Sequence, residues 1–488
     1  MTRELNRVTG AVLAAFLIVA LGATFWGVVR ADGLRAREDN GRNVIAEQSI
    51  RRGAIYDQHG NLLANSVETP DGIVRRVYPY PEAASAIGYY SFTYGSAGIE
   101  AAFDAELRGD AWRNTWDELV DSALHREPRG GDIRATIDLD TQRVVAAEMR
   151  NRGGAAVVVE VPSGRVLAMV SQPGSDPNTL EINWERLTEE ETTSPLLNRA
   201  AAGVYQPGGA LQTVILGAIL AAQPDLSLTG AATLNAAVPG AREPVRADDL
   251  TLVCLPGAPE KLLTLAEAYS YGCPAPFAFA LDDTLTPERV WQRFGALGLL
   301  DAPALVGFET AIGVPPAPLT SATPPETLRS ALVGQGDLTV TPLQMVQIVA
   351  AIANGGNAVP LHLVDATRPP GSDRWQGIDI PPLQPALLRA DVAATIQLAM
   401  AQAAARSPYV RQAARGDLVL YGHSALAFAG PEKTPYAWFV GFGELADGTA
   451  VAVVVVIEDE ADPGVAARVA GAVFEALTTE NTEDTGEN

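Results

Sequence analysis

The chain has 488 residues and an acidic balance, with 58 Asp and Glu against 35 Lys and Arg and a formal net charge of -23. This length predicts at least two domains with a sizeable core, and the negative charge argues against a nucleic-acid partner. Two cysteines are too few for a disulfide framework, and a hydrophobic fraction of 47% is ordinary for a globular chain.

The first feature along the chain is the uncharged stretch 8–29. At about 1.5 Å per residue, a helix over this stretch is about 33 Å long, enough to cross the core of a bilayer. We therefore expect an uncleaved transmembrane anchor, with 1–7 in the cytoplasm. The positive-inside rule opposes this orientation, because two arginines precede the stretch and four follow it, at positions 3, 7, 30, 35, 37 and 42.

Two motifs mark the region 30–135. Residues 52–64 read Arg-Gly-Ala-Ile-Tyr-Asp-Gln-His-Gly-Asn-Leu-Leu-Ala, which predicts two short strands around a Gln-His-Gly-Asn turn. Residues 95–109 include Gly98, Ile99 and Glu100 and end at Gly109, which predicts a helix terminated by glycine. Both segments resemble motifs in the pedestal domain of class B penicillin-binding proteins, where their role is structural.

The pattern of a second domain runs over 136–477. Two β-rich runs flank Pro-Ser-Gly and predict a hairpin, and 171–178 resembles the loop that leaves this hairpin in transpeptidase domains. Residues 333–345 nearly repeat the family's Gly-Gln-Gly…Thr-Pro-Leu-Gln-Met and predict a helix capped by Thr341. A buried strand, 450–457, is predicted to pair with 436–442, followed by a helix over 463–477 and a disordered acidic tail over 478–488.

The first altered motif lies at 200–220, where a turn leads into an apolar helix that is predicted to be buried. Tyr205, Pro207 and Gly208 resemble the Tyr-x-Pro-Gly-Ser-x-x-Lys motif of penicillin-binding proteins, in which the serine is acylated. Gly209 stands at the serine position and Gln212 at the lysine position. Glycine supplies no nucleophile, and an amide cannot accept a proton as an amine does.

The second altered motif corresponds to the family's Ser-x-Asn. Alignment on Cys273 and Phe277 places Gly272 at the serine and Pro274 at the asparagine. In the alternative register Ser270 takes the serine position, but glycine then replaces asparagine. Neither register restores the motif.

The two cysteines of the chain lie at and before this motif. Cys254 precedes Cys273 by 19 residues, as a similar pair does in some relatives of the family. A disulfide and two buried free thiols both remain open, because a sequence separation does not determine the distance that a bridge requires.

The third altered motif corresponds to Lys-Thr-Gly and the threonine that follows. His423 replaces the lysine, Ser424 the first threonine, Ala425 the glycine and Leu426 the second threonine. Ser424 keeps a hydroxyl and is the predicted substrate-binding residue. We expect His423 to be a solvated residue on an exposed strand, charged only at low pH.

Taken in order, these segments resemble a class B penicillin-binding protein. The resemblance implies an α+β fold with a single N-terminal transmembrane helix (8–29), a linker and β-rich pedestal (30–135), and a transpeptidase-like domain (136–477) whose antiparallel sheet is flanked by helices. It also implies single-pass attachment to the cytoplasmic membrane, with the bulk of the chain extracytoplasmic, and a place in peptidoglycan synthesis.

Because no catalytic motif is intact, the predicted function is a catalytically silent scaffold or regulator. The resemblance implies a lipid-II-polymerising glycosyltransferase as a membrane partner and a peptidoglycan stem peptide as a ligand of the altered cleft; no cofactor or metal site is predicted. The alternative is an active D,D-transpeptidase that binds penicillin and cross-links peptides with relocated groups, using Thr213, Ser270 or Ser424 as the nucleophile.

Overall fold

The protein, described here from a computed structural model, is covered over residues 2–24, 50–70, 73–114, 116, 124, 129–189, 193–227, 229–282, 285–306, 308, 310–311, 317–380, 386–430 and 432–484. The strands in chain order are β1 (Ile55–Tyr56), β2 (Leu62–Glu68), β3 (Val74–Val77), β4 (Tyr89–Ser91), β5 (Gly95–Ala97), β6 (Asp132–Ala135), β7 (Gly154–Val161), β8 (Val166–Gln172), β9 (Val245–Ala247), β10 (Leu250–Leu252), β11 (Val364–Arg368), β12 (Gln376–Gly377), β13 (Val419–Ala429), β14 (Thr434–Glu444) and β15 (Ala450–Ile457).

The helices alternate with these strands, and their bounds in chain order are α1 (Thr2–Thr24), α2 (Ala84–Ile87), α3 (Ile99–Ala102), α4 (Asp104–Arg108), α5 (Leu139–Glu148), α6 (Leu180–Glu189), α7 (Gln212–Ala221), α8 (Gly230–Leu234), α9 (Leu265–Ser270), α10 (Ala275–Ala278), α11 (Pro287–Ala296), α12 (Pro325–Leu332), α13 (Pro342–Ala353), α14 (Ala390–Arg406) and α15 (Pro463–Asp484). The chain is therefore a mixed α+β protein.

A five-stranded antiparallel sheet, in the order β13-β14-β15-β7-β8, forms the centre of the larger domain. Successive side chains of β15 point to opposite faces, so Val454 lies in the core formed with α13, and Val453 in the core formed with α5 and α15. Both faces of β15 are buried, which explains its uninterrupted apolar sequence. The predicted hairpin, the buried strand and its aromatic partner are confirmed.

A second sheet has the order β12-β11-β6-β1-β2-β3 and contains the predicted pedestal strands. β1 pairs with β2 around the Gln-His-Gly-Asn turn, as predicted, and it also pairs in parallel with β6. β6 then pairs with β11, which comes from residues more than two hundred positions later in the chain. The sheet of the pedestal is thus completed by strands from the second predicted domain, and the boundary at residue 135 stays a prediction.

The two pedestal motifs meet at a buried carboxylate. Arg52 Nε donates to Glu100 Oε2 at 3.1 Å, and Arg76 Nε donates to Glu100 Oε1 at 2.6 Å. The phenol of Tyr78 donates to the same Oε1 at 3.1 Å, and none of the Glu100 side chain is exposed. Because an unpaired buried charge is costly, this network accounts for the motifs as structural elements. The helix of the second motif ends at Gly109 in a left-handed conformation, as predicted.

Both ends of the chain carry predictions about order and location. No helix within the described ranges combines the length and the apolar character needed to cross a membrane, and residues 25–29 of the predicted anchor lie outside those ranges.

At the C-terminus, α15 continues to Asp484, so the predicted disorder of 478–484 is corrected to helix. The hydroxyl of Thr478 donates to Phe474 O at 2.9 Å, which lets a polar residue continue the helix. Residues 485–488 lie outside the described ranges.

Candidate active site

The first altered motif sits on a 3-10 turn, Gly208–Leu211, that leads into α7. Gly208 has φ +50°, and a Cβ built on it would lie 2.4 Å from Leu426 O, so only glycine fits. Its N–H donates to Gly334 O at 2.9 Å, which brings the Gly-Gln-Gly segment against the turn. The predicted buried helix is confirmed, and it begins at Gln212 because the residues before it form a 3-10 turn.

The turn is held in place by Tyr205. Its backbone exchanges two hydrogen bonds of 2.9 Å with Val340, and its phenol donates to Glu458 Oε1 at 2.8 Å. Arg199 Nε donates to the same oxygen at 3.0 Å. Burial and the neighbouring Glu458 raise the pKa of Tyr205 well above its ordinary value, so the phenol stays a neutral donor. The motif residues that remain from the family pattern therefore have a structural role here.

The third altered motif packs against the nucleophile position of the first. A Cβ built on Gly209 would lie 3.0 Å from Ala425 Cβ and 3.6 Å from Leu426 O. Ala425 is 2% exposed and belongs to the main core. A side chain at 209 would therefore press on the methyl group at 425, and one of the two would have to shift by a few tenths of an ångström.

Gln212 and Thr213, at the start of α7, are both 2% exposed. Gln212 Nε2 donates to Cys273 O at 3.4 Å, and its Oε1 has no hydrogen-bond partner among the described residues. Thr213 Oγ1 and the phenol of Tyr269 share a hydrogen bond of 2.8 Å. Position 212 thus links the first altered motif to the second through an amide, and position 213 is bonded to a neutral phenol.

The second altered motif is a turn after α9. Gly272 has φ +59°, a conformation that strains other residues, and a Cβ there would lie 3.3 Å from Leu255. Pro274 is buried and leads into α10. Ser270, the alternative serine, donates to Ala266 O at 2.7 Å within its own helix. The structure joins Cys254 and Cys273 in a disulfide, which ties this turn to the loop after β10.

His423 corrects the prediction of a solvated histidine, because none of its surface is exposed. Its ring stacks on Tyr269 with centroids 4.2 Å apart, and Nε2 donates to Gly209 O at 3.1 Å. A carbonyl can only accept, so Nε2 carries the proton, and Nδ1 has no partner within the described part of the chain. Burial lowers the pKa of His423 to about 4. The side chain that replaces lysine is therefore a neutral core residue.

Ser424 is 1% exposed, and its Oγ has no hydrogen-bond partner in the described ranges. In β13 it is paired with Phe439, which belongs to the core on the side of α15, whereas its neighbour Ala425 belongs to the opposite core. The hydroxyl at 424 and the imidazole at 423 thus leave the strand on opposite faces. A substrate-binding role for Ser424 stays a prediction.

The structure brings the three altered motifs together around Tyr269, a residue that the sequence did not single out. Its phenol bonds Thr213 and its ring covers His423. The only available signal was an aromatic residue beside Ser270 on a short helix. The chain has just two lysines, and these pair with carboxylates away from the motif positions: Lys261 with Glu267 at 2.8 Å and Lys433 with Asp249 at 2.9 Å.

Comparison with known families gives two matches. Residues 52–133 match the model described as "Penicillin binding protein A dimerisation domain", and residues 306–479 match "Penicillin binding protein transpeptidase domain". The second match includes His423, Ser424 and Ala425, whereas 209–274 lie before it.

Comparison with individual proteins extends over nearly the whole chain. The peptidoglycan D,D-transpeptidase PbpA of Mycolicibacterium smegmatis is 33% identical over 486 residues, and PbpA of Mycobacterium tuberculosis is 32% identical over 491 residues; each alignment covers 95% of both chains. The imipenem acyl-enzyme complex of M. tuberculosis penicillin-binding protein A has a TM-score of 0.77 at 29% identity and covers 88% of this chain and 99% of that one. This chain therefore belongs to the class B penicillin-binding proteins, the family of peptidoglycan D,D-transpeptidases of cell-wall synthesis.

Proposed function

We propose that this chain is a catalytically silent member of a peptidoglycan-synthesis complex that acts by binding rather than by acyl transfer. The observation that carries the proposal is Gly209, which stands where the family has its acylated serine and whose missing side chain would meet Ala425 Cβ at 3.0 Å. Acyl transfer by this family needs a nucleophile at that position.

The proton-transfer groups support the same proposal. Gln212 stands at the lysine position of the first motif, and His423, with a pKa lowered to about 4, stands at the lysine of the third. A neutral buried imidazole that already donates to a carbonyl has a single free nitrogen, and no hydroxyl is bonded to it. The paired hydroxyl and base that activate a nucleophile are not found among the described groups of this site.

The alternative, an active transpeptidase with relocated groups, receives less support. Its three nucleophile candidates are 1–2% exposed. Thr213 is bonded to Tyr269, Ser270 to its own helix, and Ser424 lies on the strand face opposite His423. A substrate carbonyl would have to enter the protein core to reach any of them.

The proposal includes attachment by the uncharged stretch 8–29, with the rest of the chain outside the cytoplasmic membrane. In this role the protein would hold a lipid-II-polymerising glycosyltransferase and would bind a stem peptide without cleaving it. Fusions of a periplasm-active and a cytoplasm-active reporter to the C-terminus test the location. Activity of the cytoplasmic reporter alone would rule out this orientation and the role in the wall.

Covalent labelling tests the silent character. The full-length protein is incubated with excess penicillin G, and its intact mass is measured beside that of M. tuberculosis penicillin-binding protein A, which forms an acyl-enzyme complex. We expect the mass of this chain to stay unchanged while the control gains one drug mass. An adduct that maps to any residue of the altered motifs would refute the proposal.

A further inference from the structure

A cavity of about 470 Å³ opens between α7 and α11, at the end of α7 far from Gly209. The α7 side of the cavity consists of alanines, and the α11 side contributes Arg289, Gln292 and Arg293. Residues three and four apart lie on one face of a helix, so both guanidinium groups and the amide approach the cavity from the same side. The described residues that line it include no carboxylate.

The charge of Arg293 has no counter-ion within the described ranges. Its side chain is half-buried, and its pKa is lowered by burial and by the nearby positive charge of Arg389. Arg389 is itself neutralised by Asp391, with Nη2 to Oδ2 at 2.8 Å and Nε to Oδ1 at 3.0 Å. In a chain of net charge -23, a half-buried arginine without a carboxylate is a local excess of positive charge in an otherwise negative field.

Arg293 is not needed to stabilise the C-terminus of α7, because another arginine already does so. The C-terminus of a helix carries unpaired carbonyl groups and a partial negative charge, which cations stabilise. At the end of α7 this is done by Arg389, whose Nη1 donates to Gln223 O at 3.0 Å and to Ala221 O at 3.4 Å. Arg293 makes no such bond among the described residues, so its guanidinium is available to a ligand.

We propose that this cavity binds the phosphate group of a ligand. The planar guanidinium fork matches two phosphate oxygens, and Gln292 adds a neutral amide donor at the same face. The alanines on the opposite wall accept the carbon atoms attached to a phosphate ester. Two kinds of ligand carry such a phosphate group: a free phosphate compound and the headgroup of an anionic phospholipid. The site is remote from the altered motifs and does not depend on the proposed function.

Calorimetric titration of the full-length protein in detergent with pyrophosphate tests the site, with sodium chloride matching the ionic strength. We expect saturable binding that Arg293→Gln weakens at least about tenfold, as for a lost hydrogen bond to a charged group. Arg150→Gln, which removes an exposed arginine at the end of α5, is the matched control and should bind as the wild type does. No binding, or equal weakening by both variants, would overturn the proposal.

A second measurement needs no variant. Phenylglyoxal modifies accessible arginines, and peptide mapping by mass spectrometry gives the rate at each position. We expect pyrophosphate to slow the modification of Arg293 but not of Arg150. Unchanged rates at both positions would refute the site even if Arg293→Gln did not fold.

Flotation with vesicles distinguishes the two kinds of ligand. Stronger flotation with phosphatidylglycerol vesicles than with phosphatidylcholine vesicles, lost in Arg293→Gln, assigns the site to a lipid headgroup. Pyrophosphate binding that depends on Arg293, with flotation that does not, assigns it to a free phosphate compound. If neither response depends on Arg293, no phosphate site exists here.

Discussion

Gly209 and Ala425 are complementary: a Cβ built on Gly209 would lie 3.0 Å from the Cβ of Ala425. Gly209 is outside the left-handed region of backbone space, so the backbone itself would accept serine. The obstacle is the methyl group on β13, at the position where the family motif has glycine. The substitutions at the two positions are therefore physically linked, because restoring serine at 209 without glycine at 425 overpacks the site.

We predict that Gly209→Ser costs about 1–3 kcal/mol of unfolding free energy, the usual cost of an overpacked core. Ala425→Gly in the same chain should relieve this cost, giving a favourable coupling of about 0.5–3 kcal/mol in a double-mutant cycle. Urea unfolding of the four proteins measures it. Additive effects would mean that the cost of a serine at 209 does not depend on the methyl group of Ala425.

A second prediction concerns chemistry rather than stability. The variant with Gly209→Ser and Gln212→Lys should fold but gain little penicillin acylation, because Gly272, Pro274 and His423 still cannot position a substrate. The test is the rate of covalent labelling by fluorescent penicillin, with M. tuberculosis penicillin-binding protein A as the active standard. Labelling at a rate close to that standard would show that the first motif alone restores the site.

His423 predicts a pH dependence of stability. Its pKa falls from 6.5 to about 4 on folding, so the unfolded chain binds more protons between these values, and stability is lost as the pH falls through this window. From pH 7.5 to pH 5 the loss from this group is about 2 kcal/mol. Urea unfolding at both pH values should show a smaller loss in His423→Gln, which keeps a donor for Gly209 O.

Other groups titrate over the same range, so the quantity to compare is the difference between the wild type and His423→Gln. His59→Gln is the matched control, because His59 is exposed. An identical pH dependence in all three proteins would contradict a neutral, buried His423.

The disulfide between Cys254 and Cys273 closes a loop across a separation of 19 residues. A loop of this size stabilises a fold by about 3 kcal/mol, chiefly through the unfolded state. The double variant Cys254→Ser and Cys273→Ser should lose about this amount in urea unfolding. Thiol labelling of the oxidised, denatured wild type should find no free thiol, and two free thiols would support the alternative that the sequence left open.

Glu100 is predicted to be essential to the fold of the pedestal. Glu100→Gln leaves the guanidinium group of Arg76 buried without a counter-charge, whereas Arg52 keeps its ion pair with Asp104. Breaking a buried ion pair in this way costs about 3–5 kcal/mol. Circular dichroism during urea unfolding measures the loss. Glu185→Gln, an exposed carboxylate on α6, is the control and should stay within about 0.5 kcal/mol of the wild type.

Features with local signals were predicted from the sequence. The capping box that begins α13, in which Thr341 Oγ1 accepts from Gln344 N at 3.1 Å, is encoded within four residues. The valine-rich β15 and its hairpin partner are likewise recognisable from composition and turn residues. The replaced residues of each motif could be named because the residues around them keep the family pattern.

Features that depend on distant pairing were not predicted. The hydrogen-bond acceptor of His423 Nε2 is the carbonyl of Gly209, 214 residues earlier in the chain, and an isolated strand does not reveal what covers its face. The pairing of β11 with β6 is a similar case, because the sequence of a strand does not indicate which other strand it pairs with. Tyr269 was missed for the same reason, since its contacts come from α7 and β13.

The pairing of β6 with β11 limits how the protein can be divided. A fragment ending at residue 135 would contain β1, β2, β3 and β6 but would present the hydrogen-bonding groups of β6 as an open edge, which invites aggregation with other strands. The remaining fragment would carry β11 and β12 without a sheet to join. Residues 50–135 therefore cannot be exchanged alone between this protein and its relatives. A chimaera would have to include 364–377 as well, so that the sheet stays continuous.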